Sequence, residues 1–94
     1  MTKSIHGQKY CSFLELLVQI RKDSGLTQAE VAAHLRRPQS YVSKYENGER
    51  RLDVVEFLEV AQAVGFDPVK FIRSLNAEKG SIPDHGRILI TEKP

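Results

Sequence analysis

Cysteine occurs once, at Cys11, and tryptophan is missing altogether. A lone cysteine excludes an intramolecular disulfide and a multi-cysteine zinc site, and it suits a reducing compartment. Long apolar runs are also missing. The longest, from Phe13 to Ile20, is interrupted by Glu15 and Gln19, which excludes a bilayer span and a signal-peptide core, so a cytoplasmic, nucleoid-associated location is expected. His6, His34 and His85 lack metal-ligand spacing, no glycine loop of the phosphate-cradling kind is present, and no nucleophile motif appears. Asp53 and Glu56 could pass for a catalytic carboxylate pair, but helix capping explains both. Neither an enzyme nor a metal or cofactor is expected.

What is present is an ordinary globular composition. The 94 residues suffice for one domain, and 40% apolar with 28% charged residues gives material for a core and a solvated surface. The net charge of +2 is unevenly spread: residues 21–51 hold seven Lys/Arg against four Asp/Glu, whereas residues 52–94 hold five against seven. A basic patch by itself means only a solvated helix face. Its position along the chain gives it more meaning.

The basic stretch coincides with the most informative segment, Thr27 to Gly48. Thr27 and Glu30 have capping-box spacing, which marks a helix start. Val31, Ala32 and Leu35 form one apolar stripe, and Val42 and Tyr45 form a second three residues apart, so two short helices should face each other. Between them Pro38 disfavours helical geometry at Arg37, while its own fixed φ suits the first turn of a new helix. Two short helices joined by a tight turn, the second with a basic and polar outer face, are a unit that reads the major groove of DNA.

Along the rest of the chain, residues 1–9 show no periodicity that demands structure. From Ser12, Phe13, Leu14, Leu17, Val18 and Ile20 recur at helical spacing up to Gly25, which fits a left-handed position after a helix. Asp53 and Glu56 open a fourth helix with Val54, Phe57, Leu58, Ala61 and Val64 as its stripe, ending at Gly65. Asp67 and Pro68 open a fifth, with Phe71, Ile72 and Leu75 on its inner side. Apolar pairs five apart, Leu26 with Val31, Leu52 with Phe57 and Phe66 with Phe71, should staple three helix starts. The fold expected is an all-α, compact five-helix domain over residues 12–75, after an N-terminal segment, residues 1–11. A C-terminal extension, residues 76–94, is interrupted by Gly80, Pro83 and Gly86. Within it Arg87 to Thr91 reads as a short β strand that would pair with the N-terminal segment, a second copy or another protein, or stay unordered.

The pattern Gly25-Leu26-Thr27-Gln28, Val31-Ala32, Leu35, Tyr41-Val42-Ser43 and Glu46-Asn47-Gly48 resembles the helix-turn-helix domains of phage Cro and repressor proteins and the wider xenobiotic-response-element-like bacterial regulators. The resemblance implies that the second helix of the motif enters the major groove, with Gln39, Ser40, Tyr41 and Lys44 facing the bases. Gln28, at a helix N-terminus, should meet a phosphate and also buttress Gln39. Arg36, Arg37, Arg50 and Arg51 are further candidates for phosphates. The resemblance also implies an internal ion pair between Arg21 and Glu46. It departs at Arg36, where relatives usually carry Gly in a left-handed turn. The function expected is a sequence-specific, homodimeric repressor on an inverted-repeat operator in double-stranded DNA. The alternatives are an antitoxin or adaptor whose tail binds a partner protein, and an interaction module without DNA binding.

Overall fold

Side-chain caps decide where the helices of this chain begin. The computed structural model describes residues 3–77, with side chains from residue 7 onward. Five helices follow in order: α1 (Lys3–Asp23), α2 (Gln28–Leu35), α3 (Gln39–Glu46), α4 (Val54–Val64) and α5 (Pro68–Asn76). Thr27 and Asp53 each accept a hydrogen bond from the third backbone N–H of the helix they open, and Glu30 and Glu56 reach back to complete two capping boxes. Asp67 accepts from the N–H groups of Val69 and Lys70, with Pro68 at the first helical position. Pro38, with a ψ of 155°, is the extended residue immediately before α3.

The first four helices end on a shared device. Leu26, Arg37, Glu49 and Phe66 donate their N–H groups back to the carbonyls of Arg21, Ala32, Lys44 and Ala61, each five residues earlier. Such a closure places the preceding residue in the left-handed region. That residue is Gly25, Gly48 or Gly65 in three cases and Arg36, with φ 59° and ψ 44°, in the fourth. Arg36 is the one non-glycine at positive φ among the described residues.

These ends direct α2 against α3 and α4, and α1 against α3 and α5. Leu14, Leu17, Val31, Ala32, Val42, Tyr45 and Val60 fill the centre. All four phenylalanines gather at one side, with Phe57 and Phe71 5.0 Å apart, Phe66 stacked 5.2 Å from Phe71, and Phe13 edge-on to Phe71 at 5.7 Å. Two of the stapling pairs, Leu52 with Phe57 and Phe66 with Phe71, thus feed one aromatic cluster linking α1, α4 and α5.

Three expectations are corrected. Helix α1 starts before Ser12, interrupted only by Gly7 with φ 79° and ψ 166°. Its early turns are held from a distance, by a hydrogen bond from the Leu52 N–H to the Tyr10 hydroxyl (3.2 Å) and one from Lys9 Nζ to the Leu75 carbonyl (3.0 Å). On α4 the buried stripe is Phe57, Val60 and Ala61, while Val54 and Leu58 are exposed. Apolar residues almost encircle this helix, so spacing alone could not choose its face. On α5 Phe71 is buried but Ile72 is exposed, and with Val54, Val55, Leu58 and Val69 it leaves the α4 and α5 surfaces unusually apolar. The strand expected from Arg87 to Thr91 lies outside the described residues.

The left-handed Arg36 carries a Cβ penalty that glycine avoids. Arg36→Gly is expected to raise the unfolding free energy of the free protein by about 0.5 to 1 kcal/mol, even after the added freedom of the unfolded chain. Urea melts of the two proteins check it, and a loss of stability would show that the arginine makes compensating contacts.

Candidate nucleic-acid interface

A buried carboxylate organises the first turn of α3 through a relay of hydrogen bonds. Glu46, at the end of α3, takes both Arg21 Nε (2.7 Å) and Arg21 Nη2 (3.0 Å) in a forked pair, and the two side chains are only 5% and 11% exposed. Arg21 Nη1 donates as well to the Leu26 carbonyl at 3.0 Å. Hydrogen bonding to Glu46 raises the Arg21 pKa above its ordinary value, so the guanidinium stays charged. On its other side Glu46 Oε1 accepts from Gln28 Nε2 at 2.9 Å, and Gln28 Oε1 accepts from Gln39 Nε2 at 3.2 Å.

This relay has a polarity. An ionised carboxylate only accepts, so the Gln28 amide must turn its NH₂ toward Glu46 and its carbonyl oxygen toward Gln39. Gln39 must then donate inward. Its carbonyl oxygen and second N–H are left to point outward from the exposed start of α3. An acceptor and a donor side by side are what the major-groove edge of adenine accepts.

The other expected site residues divide into two groups. Ser40 and Lys44 are exposed on α3, as are Arg36 and Arg37 at the turn before it and Arg51 beyond it. Gln28 is half-buried in the relay, which uses both ends of its side-chain amide. Tyr41 is corrected. Its side chain does not face outward with Gln39 and Ser40 but is 8% exposed, edge-on to the fully buried Tyr45 at 5.6 Å. Burial accordingly raises the Tyr41 phenol above its ordinary pKa. The Arg37 and Arg50 guanidinium carbons lie over the Tyr41 ring, 4.5 and 4.8 Å from its centroid.

Two residues of this surface were missed as parts of the site. Glu56, read only as a helix cap, also binds Arg50 through two bonds of 3.2 and 2.8 Å. Arg50 and the Asp53 backbone N–H together hold its carboxyl down at about 2. Tyr10, placed in the N-terminal segment outside the expected domain, carries the Arg51 guanidinium over its ring at 4.2 Å. A capping glutamate six residues after an arginine was the available signal for the first. No local signal existed for the second, because its partner lies 41 positions away.

Comparison with known proteins fits this geometry. A family model described as a helix-turn-helix domain matches residues 13–71. The chain is 39% identical over 54 residues to the uncharacterized HTH-type transcriptional regulator y4dJ of Sinorhizobium fredii, a match that covers 57% of this chain and 70% of that protein. An XRE-family like protein from Pseudomonas syringae pv. tomato superposes with a TM-score of 0.75 at 50% identity, over 81% of this chain and 93% of that one. A mutant of the restriction-modification controller protein C.Esp1396I shares the fold at 17% identity, with a TM-score of 0.67 over 92% and 98% of the two chains.

Removing one partner from the buried pair strands the other charge. Glu46→Ala is expected to cost about 3 to 5 kcal/mol in urea unfolding, a loss too large for an exposed ion pair. Glu56 gives a pH test. Its folded pKa of about 2 lies below the ordinary 4.5, so its contribution is fully present above pH 4.5 and disappears as pH falls toward 2. The stability difference between the natural chain and Glu56→Gln should therefore be flat above pH 5 and shrink steadily on acidification. Urea melts across that range measure it, and a constant difference would mean that Glu56 ionisation does not support the fold.

Proposed function

Because the chain belongs to the Cro- and repressor-type helix-turn-helix family of xenobiotic-response-element-like transcriptional regulators, we propose that it is a homodimeric repressor reading an inverted-repeat operator with α3. The observation that carries this reading is the relay from Arg21 through Glu46 and Gln28 to Gln39. A solvated helix face has no need of a buried ion pair to orient one of its surface amides. A base-reading face does, since bidentate recognition requires the amide the right way round.

In this reading Gln39 contacts adenine, while Ser40 and Lys44 meet neighbouring bases. Arg36, Arg37, Arg50, Arg51 and the first turn of α2 at Gln28 engage phosphates and set the register. The exposed Val54, Leu58, Val69 and Ile72 support self-association, because scattered single apolar residues are ordinary but a group on adjoining helices needs a partner. Two copies related by a two-fold axis would place their α3 helices about 34 Å apart, one turn of DNA. Such a regulator works in the cytoplasm, on the nucleoid. Among the described residues no helix is long and apolar enough to cross a membrane.

Selection of bound sequences from a random DNA pool tests the proposal. An inverted repeat with adenine at one position of each half-site is expected. Gln39→Ala should abolish the preference at that position, at about 1 to 3 kcal/mol, and Arg51→Ala should weaken all sequences alike and lower the salt slope by about one. Equal losses on selected and random DNA for Gln39→Ala would refute its reading role, and a single unrepeated site would refute the dimer.

A further inference from the structure

We infer that the Tyr41 ring is a positioning platform that holds Arg37 and Arg50 together as one phosphate grip bracketing the reading helix. The inference rests on the DNA-binding reading given above. Arg37 comes from the turn before α3 and Arg50 from the loop after it, yet both guanidinium groups pack on the same ring, 4.5 and 4.8 Å from its centroid. Both distances lie well inside the range at which the negative face of an aromatic ring attracts a cation.

The ring itself is fixed. Tyr41 is buried in the first turn of α3 and stands edge-on, at an interplanar angle of 80°, against Tyr45, which is 1% exposed. Arginine side chains on an open surface sample many rotamers and lose that freedom when a phosphate captures them. A fixed ring removes part of the loss before DNA arrives.

Glu56 completes the arrangement. It binds Nη1 and Nη2 of Arg50, and Nη1 donates further to the Arg51 carbonyl at 3.1 Å. The Nε edge of Arg50 is left for a phosphate. Arg37 forms no ion pair among the described residues, so it contributes the less neutralised charge of the two. Tyr41 thus acts on DNA without touching it, through the order it imposes on two side chains that do. This explains why an aromatic residue stands beside Gln39 and Ser40 with its ring under two arginines.

The test exploits ring electronics at constant shape. Tyr41→Phe retains the ring face, and replacement of the same residue by pentafluorophenylalanine keeps the shape while reversing the charge on that face. Affinity for selected and for random DNA should stay within twofold for the first and fall about five- to tenfold, equally on both DNAs, for the second. With Arg37→Ala and Arg50→Ala both introduced, and binding followed at low salt, the same fluorinated exchange should change affinity less than twofold. A packing role would cost affinity equally in both backgrounds, so equal losses overturn the proposal. Unchanged affinity of the fluorinated protein overturns it too. A natural chain that binds no DNA would instead remove the reading on which it rests, and the platform with it.

Discussion

The mutual placement of α1, α2 and α3 depends on one buried carboxylate. Glu46 is the acceptor that the Arg21 fork and the Gln28 amide share, and its burial makes each bond obligatory. Buried ion pairs are poor stabilisers in net terms, because desolvation offsets most of the attraction. Their strength lies in geometry. Arg21 ties the end of α1 to the end of α3, its third contact fixes the Leu26 carbonyl just before the α2 cap, and Gln28 ties the start of α2 to Glu46 Oε1, which also accepts from Arg21 Nη2. Three helices converge on one side chain, and the angle between α2 and α3 has little room to vary.

That constraint matters because α2 and α3 have eight residues each. Helices so short are not stable alone in water. Side-chain caps, left-handed closures and packing must supply what propagation cannot, and the chain provides all three at α2: the Thr27 and Glu30 box, the Arg36 closure, and Val31 and Ala32 in the core. Helix α3 has no side-chain cap at its start. Its first turn is closed by backbone alone, the Tyr41 N–H donating to the Pro38 carbonyl at 2.9 Å, while Tyr41, Val42 and Tyr45 anchor its inner face.

Local chemistry made most of this legible in the sequence. The boundaries of α2, α4 and α5 follow from Thr27, Asp53 and Asp67, whose caps act within three residues, and the left-handed closures follow from Gly25 and Gly65. The ion pair and the contact of Gln28 with Gln39 were implied by family resemblance and are present. Readings failed where partners are distant or signals degenerate. The start of α1 is held by Leu52 and Leu75 across 42 and 66 positions, which no local periodicity reports. On α4, Val54 and Leu58 fit one helical stripe as well as Val60 fits another, and only tertiary packing selects between them.

Tyr41 failed for a different reason, and it clarifies how such a surface is built. Placed between Ser40 and Val42, it could be assigned by helical position to either face, and tyrosine suits both a groove and a core. Its orientation is settled by two arginines from flanking segments and by Tyr45 beneath it, none of which a pattern of apolar residues encodes. The polarity of the relay has the same character. Gln39 could present either end of its amide outward, and nothing near it in sequence decides which. The decision originates at a carboxylate seven residues later, passes through a glutamine eleven residues earlier, and arrives as a donor on the inside and an acceptor on the outside. Sequence separation hides this order, and the inability of a carboxylate to donate enforces it.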